Sequence, residues 1–337
     1  MILVTGGTGL VGAHLLLRLV ERGDAPRAIY RTEKRIAKVK KVFSYYVNDY
    51  EDLFKKIEWV QGDINDLGAL EDAFKDIEYV YHAAALISFD PSDFKKLHKT
   101  NVQGTANVVN FCISRQIKKL CYVSSIAAVG QSIGDEKVTE STPWNDATTN
   151  GYALTKHAAE LEVWRASQEG IPIVVVNPGV IMGPGYWWSG SGKFFWAAYK
   201  EPKYYLPSGT GFCTVDDVTN SMLSLMDAEI QNERFIVVSE TRSYQNIAQV
   251  LAKALKKKVP NNVIKPWMLA LFWRFDWLKS SLTGSKRKLS KSTAEMFKKT
   301  EHYDNSKIQN CLPNYAYDNL DNKIKAYCAI FLQEQNP

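Results

Sequence analysis

Ile2-Leu3-Val4-Thr5-Gly6-Gly7-Thr8-Gly9-Leu10-Val11-Gly12 is the stretch that decides the fold. A short apolar run with β-branched residues reads as a buried strand. Next comes a glycine-rich turn, and then Leu15, Leu16, Leu19 and Val20 recur at helical spacing. Glycines at 6, 9 and 12 have separate tasks between a strand and a helix. One permits a tight turn, one lets the backbone approach a pyrophosphate, and one lets the helix pack against the strand. The N–H groups at the start of the helix, around Thr8 to Gly12, then face an anion with the positive end of the helix dipole behind them. A glycine loop alone is a weak signal; its place between a strand and a helix makes it a dinucleotide site.

Working outward, further strands are expected at Arg27–Tyr30, Ile57–Gln61, Tyr79–His82, Lys119–Ser124 and Ile173–Asn177. Helical patterns lie between them at Leu67–Phe74, Phe94–Ser114 and Tyr152–Glu169. Such alternation implies an α/β fold, a Rossmann-type doubly wound parallel sheet with helices on both faces. The pattern changes after Pro178. We therefore expect a nucleotide-binding domain over residues 1–178, with 212–230 returning to it, and a smaller C-terminal α/β substrate domain from 179–211 and 231–337. Tyr152-Ala153-Leu154-Thr155-Lys156 opens a helix, so Tyr152 and Lys156 share a face at i,i+4. An ammonium beside a phenol, together with the positive ring of a bound nicotinamide, favours the phenolate and would lower its pKa, fitting Tyr152 for acid/base work on an alcohol or carbonyl.

The G-x-x-G-x-x-G spacing together with this Y-x-x-x-K resembles the extended short-chain dehydrogenases/reductases of the NAD-dependent epimerase/dehydratase family. The resemblance covers roughly the first two-thirds of the chain and is weak from Glu240 onward. It implies a cofactor site of Gly6, Thr8, Gly9, Leu10, Val11 and Gly12. Asp63 and Ile64 would join it near the adenine, with Ala83, Ala84 and Ala85 after the fourth strand and Pro178 and Val180 beside the nicotinamide. It also implies that Ser125 hydrogen-bonds the reacting oxygen, with Ser124 unemployed, and that Asn101 holds a water or backbone group for proton relay. The first carboxylate of Val215-Asp216-Asp217-Val218 would support structure at the domain junction. The second strand ends Tyr30-Arg31-Thr32 without the carboxylate that would hold a ribose 2′-hydroxyl. Arg31 suits a 2′-phosphate instead, so NADP(H) is favoured and NAD(H) remains possible.

Within that family the chain departs from the sugar-nucleotide enzymes. Ile126 and Ala127 follow Ser125, where dehydratases carry an acid. Val180 and Met182 stand where epimerases place Asn and Tyr, and Asn177 lies three positions too early. The stretch Ala84–Pro91 and Pro178–Pro184 resemble dihydroflavonol-reductase-like and 3β-hydroxysteroid-dehydrogenase-like members. Ser88, Tyr186, Trp187 and Trp188 are the candidate substrate residues, and hydride transfer to or from an apolar carbonyl/alcohol pair is the expected reaction. A nucleotide-sugar epimerase with tightly held NAD is the alternative, and a non-catalytic dinucleotide sensor a third reading.

Composition narrows the class further. The chain has 337 residues, 45% hydrophobic and 23% charged, with a formal net charge of +6. This is an ordinary globular balance, mild enough to argue against nucleic acid. The five cysteines show no paired spacing and the five histidines no ligand spacing, so no metal site is expected. A strand beginning at Ile2 leaves no room for a leader, so a cytoplasmic protein is expected. The aromatic segment Asn262–Ser285 is broken by Lys265, Arg274, Asp276 and Lys279, too often for a membrane span. Its expected form is a buried helix pair, ahead of a substrate lining and of an interfacial or dimer-contact helix. A homodimer is expected through the helices Phe94–Ser114 and Tyr152–Glu169.

Overall fold

In the computed structural model residues 1–132, 134, 136–145, 150–287 and 289–335 are described. Among them are twelve strands: β1 Ile2–Thr5, β2 Arg27–Tyr30, β3 Glu58–Gln61, β4 Tyr79–His82, β5 Lys119–Val123, β6 Ile173–Pro178, β7 Val180–Met182, β8 Tyr204–Tyr205, β9 Gly209–Thr214, β10 Glu233–Val237, β11 Glu240–Ser243 and β12 Asn262–Val263. Seven of them form one sheet in the order β10-β6-β5-β4-β1-β2-β3, every pair parallel. Parallel strands need helical crossovers, and those helices bury the sheet from both sides, which is why β5 and β6 are buried throughout. One apolar core joins the Leu10–Glu21 and Val215–Asp227 helices to one face. The other lies under the Gly104–Ser114 and Gly151–Gln168 helices.

Strand order reverses between β4 and β1, which opens a crevice at the C-terminal strand ends, where ligands of open α/β sheets bind. Gly6, Arg31, Gly62, Ala83, Ser124 and Gly179 each follow a strand end along this one edge.

β7 leaves the main sheet immediately after β6 and pairs with β9, which in turn pairs with β11. Behind this three-stranded sheet a third core gathers Met182, Trp187, Phe195, Phe212, Leu251 and Phe331, capped by the C-terminal helix Leu320–Gln335. β10 lies within the span read from sequence as substrate domain, yet it is the edge strand of the main sheet, register Phe235 to Val176. Its outward groups are taken by side chains. Ile236 N–H donates to Glu140, and the Ile236 and Arg234 carbonyls accept from Tyr317 and Lys307.

Two sequence expectations fail here. Phe94–Ser114 is not one regular helix: a π turn at His98–Gln103 separates Phe94–Leu97 from Gly104–Ser114. The aromatic segment is not a buried pair but a single surface helix, Pro266–Thr283, of which only Leu269 is buried. Trp267, Leu271, Phe272, Phe275, Trp277, Leu278 and Leu282 all stand exposed on it.

Candidate active site

The phosphate loop is built by close backbone packing. Gly6 has φ +69°, and a Cβ there would lie 2.5 Å from Ala84 N and 2.6 Å from the Ala83 carbonyl carbon. A Cβ on Gly12 would lie 2.3 Å from Gly6 O. The loop, the start of the first helix and the turn after β4 are thus interlocked. Gly9 is the N-cap of the Leu10–Glu21 helix and supplies no side-chain cap, so the first-turn N–H groups of that helix have no side-chain oxygen serving them. Such a cradle fits a dinucleotide pyrophosphate.

At the neighbouring strand ends, Arg31 is half exposed and lies 3.6 Å from Asp63. Burial works against the Asp63 carboxylate, but hydrogen bonds from Asn65 and the nearby Arg31 guanidinium outweigh it and hold its pKa below the usual carboxylate value. Ile64 turns its side chain into the core against Gly104, leaving only main chain for a ligand.

Tyr152 enters through the Gly151–Gln168 helix, capped by Asn150, whose side chain accepts Ala153 N–H. The phenol is almost fully buried beside Ser125, with the Phe89 ring edge-on at 5.7 Å. Burial pushes its pKa up to about 12, partly offset by the Ser125 hydroxyl. The protein groups alone therefore do not supply the lowering expected from the sequence, which also counted on the nicotinamide ring. The reason lies in Lys156, whose ammonium is turned inward and donates to Tyr122 Oη at 2.7 Å and to the Val123 carbonyl at 2.8 Å. Burial lowers Lys156 to about 7, against the opposing charge of Glu160.

Behind Lys156 runs a buried polar chain. Tyr122 stacks on His82, and His82 shares hydrogen bonds with Thr5 at 2.6 Å and Thr105 at 2.9 Å. Burial, with Lys156 near, brings His82 down to about 3, so it is neutral and can donate from one ring nitrogen and accept at the other. Glu160 sits one helical turn beyond Lys156. It accepts from Ser124 Oγ at 2.5 Å, Asn177 Nδ2 at 2.9 Å and Arg234 Nη1 at 3.1 Å. Ser124 is thereby turned away from the crevice while Ser125 faces it. Neither Tyr122 nor Glu160 was singled out in the sequence, although Glu160 extends the Tyr152, Lys156 spacing by four residues.

Asn101 lies in the π turn and clamps the Leu86 backbone, accepting its N–H at 2.7 Å and donating to its carbonyl at 3.0 Å. This fixes the loop carrying Ser88 and Phe89. Ser88 itself donates to Asp93 and so shapes the loop. The aromatic trio expected at the substrate is dispersed. Trp187 is 3% exposed in the third core and donates to Glu334. Trp188 is 70% exposed and packs against Trp196 with the rings tilted by 31°, and the Tyr186 hydroxyl donates to the Thr8 carbonyl over the phosphate loop. Consecutive residues on an irregular segment point in different directions, so they cannot line one pocket together. Asp216 pairs with Arg18 and Lys323, and Asp217 closes a capping box with Thr214. Both are junction residues. Among the described residues no group of His, Cys, Asp and Glu is arranged for a metal.

A profile of the NAD dependent epimerase/dehydratase family matches residues 2–238. A provisionally assigned dihydroflavonol 4-reductase of Synechocystis is 30% identical over 280 residues, covering 80% of this chain and 76% of that protein. Sterol demethylase protein B of Methylococcus capsulatus is 29% identical over 275 residues, 79% of this chain and 78% of that one. The solved structure of a UDP-glucuronic acid 4-epimerase from Bacillus cereus in complex with NAD superposes with a TM-score of 0.73. It is 20% identical and covers 98% of both chains, a likeness of fold.

Proposed function

The chain belongs to the NAD-dependent epimerase/dehydratase family, and within it we propose a reductase that exchanges hydride between NADP(H) and a carbonyl/alcohol pair on an apolar molecule. The observation that carries this reading is the Tyr152–Ser125 pair, at the strand edge that also carries the phosphate loop, with the Phe89 ring edge-on to the phenol. The Gly6–Gly12 loop, the Ala83–Ala85 turn and Arg31 would hold the dinucleotide, whose nicotinamide supplies or takes up the hydride. Pro178 and Val180, where the chain passes from β6 to β7, would border that ring.

Ser125 would donate a hydrogen bond to the substrate oxygen, and Tyr152 would give that oxygen its proton. A phenol held up to about 12 is protonated at neutral pH, the state a proton donor to a carbonyl must have. Lys156, bonded to Tyr122 and the Val123 carbonyl, would hold the end of the fifth strand, and with it Ser125, in place behind Tyr152. Asn101 supports the reaction through the Leu86 backbone.

The names of the two relatives, a dihydroflavonol reductase and a sterol demethylase protein, agree with an apolar ring substrate. Against a sugar diphosphate, Asn177 spends its amide nitrogen on the Ser125 carbonyl and Glu160, inside the protein. The epimerase reading keeps support from the NAD-bound structural neighbour.

The test is turnover of NADPH with a panel of apolar ketones and aldehydes, by the wild type and Tyr152→Phe. We expect Tyr152→Phe to lose roughly 10²- to 10⁴-fold in kcat with NADPH affinity unchanged. Consumption of a diphosphosugar with no carbonyl turnover, by protein purified with NAD in place, overturns the reading.

A further inference from the structure

Helical spacing sets Trp267, Leu271, Phe275, Leu278 and Leu282 in one stripe along Pro266–Thr283, at i, i+4, i+8, i+11 and i+15. All five are exposed, from 43% at Leu271 to 77% at Leu282. Exposed apolar side chains are ordinary singly, but a continuous stripe over the whole helix marks a contact surface.

The charges of the helix decide what it contacts. On a helical wheel Arg274 borders one side of the stripe and Lys279 the other. Lys265 stands before the helix and Lys291 begins the next one, Lys291–Met296. Among the described residues no ion pair holds any of these four cations. Asp276, the single carboxylate of the helix, lies on the opposite face and accepts Leu289 N–H at 2.9 Å. The outer surface is thus apolar with a cationic rim and no anion. Trp267 in the stripe and Trp277 beyond Arg274 are exposed rings that prefer a water–hydrocarbon boundary. A second copy of the chain would set cation against cation across the same stripe. No helix among the described residues is long and apolar enough to cross a membrane, so this one would lie along it.

We propose that Pro266–Thr283 docks in the headgroup layer of an anionic phospholipid bilayer, its stripe immersed and Arg274, Lys279, Lys265 and Lys291 on the lipid phosphates. The chain that follows the helix reaches the loop beside Tyr152. Lys286 pairs with Asp93 at 3.0 Å and Arg287 N–H donates to Asp90, which ties the chain after the helix to the loop bearing Phe89. An apolar substrate dissolved in the bilayer would then enter beside Tyr152. This purpose rests on the reductase reading, whereas the docking does not, and its test uses neither cofactor nor substrate.

The full chain is sedimented with vesicles of phosphatidylcholine alone and of phosphatidylcholine with phosphatidylglycerol. Binding is expected to the mixed vesicles, to loosen with salt, and to weaken about fivefold for each cation removed in Arg274→Gln and Lys279→Gln. The triple variant Trp267→Ser, Leu271→Ser, Phe275→Ser should bind at least about tenfold more weakly. Its helix content and molecular mass should match the wild type. Wild type left in the supernatant with both vesicles overturns the proposal. So does equal binding to both vesicles, or a triple variant of half the wild-type mass whose parent ignores lipid, which would make the stripe a self-contact.

Discussion

Replacing Arg31 by alanine tests the cofactor assignment most directly. In the structure its guanidinium is half exposed and 3.6 Å from the Asp63 carboxylate. An exposed pair at that separation is worth about 0–1 kcal/mol, so little is lost when Arg31 leaves it. A hydrogen bond between charged groups is worth roughly 1.5–3 kcal/mol. The difference leaves about 1–2 kcal/mol in favour of a 2′-phosphate over a 2′-hydroxyl, a preference of about 5- to 30-fold. Titration by nicotinamide fluorescence should show NADPH binding that much more tightly than NADH. Arg31→Ala should lose the difference while NADH binding stays where it was, and rising salt should shrink the wild-type preference. Equal affinities in the wild type, or a variant that weakens both cofactors alike, would refute the reasoning and move NAD(H) to first place.

Gly12→Ala should abolish binding of both nicotinamides with helix content retained, since its Cβ meets Gly6 O at 2.3 Å and only backbone could move; unchanged affinity would show the loop to be slack. Arg234→Leu should destabilise the protein by about 3–5 kcal/mol in urea melts, because Glu160 would be left buried without its cation; a loss under about 1 kcal/mol would show another group replacing it. Lys156 has a folded pKa of about 7 against 10.5 when free, so between those values the unfolded chain binds the extra proton and stability rises with pH. Wild type minus Lys156→Met should therefore show a positive slope approaching about 1.4 kcal/mol per pH unit from pH 8 to 9.5. A flat difference would place the ammonium in water.

The parts of the molecule legible in sequence are those where geometry forces residue type. Gly6 and Gly12 cannot carry a side chain, and the alternation from Ile2 to Asn177 could build only a parallel sheet. What escaped depends on direction in space. Trp187 and Trp188 are identical neighbours, yet one fills a core and the other lies on the surface. The π turn at His98–Gln103 is defined by i→i+5 backbone bonding, which residue types do not announce. Glu233–Val237 shows no alternation, and only pairing to β6 makes it a strand of the main sheet. Lys156 was read beside Tyr152 from spacing alone, whereas Tyr122, a distant residue in sequence, decides where its ammonium points.

The outer margin of β10 has a bearing on how this protein keeps to itself at high concentration. A parallel sheet ending in a bare strand offers a row of donors and acceptors to any other chain that can lie extended beside it. Here Glu140 caps the Ile236 N–H while Tyr317 and Lys307 cap carbonyls of the same margin. These plugs come from sequence positions far from β10, so they are in place only when the fold is complete. An unfinished chain would expose the seam and the finished one conceals it. Substituting Glu140 should therefore raise aggregation of the native protein far more than aggregation during refolding.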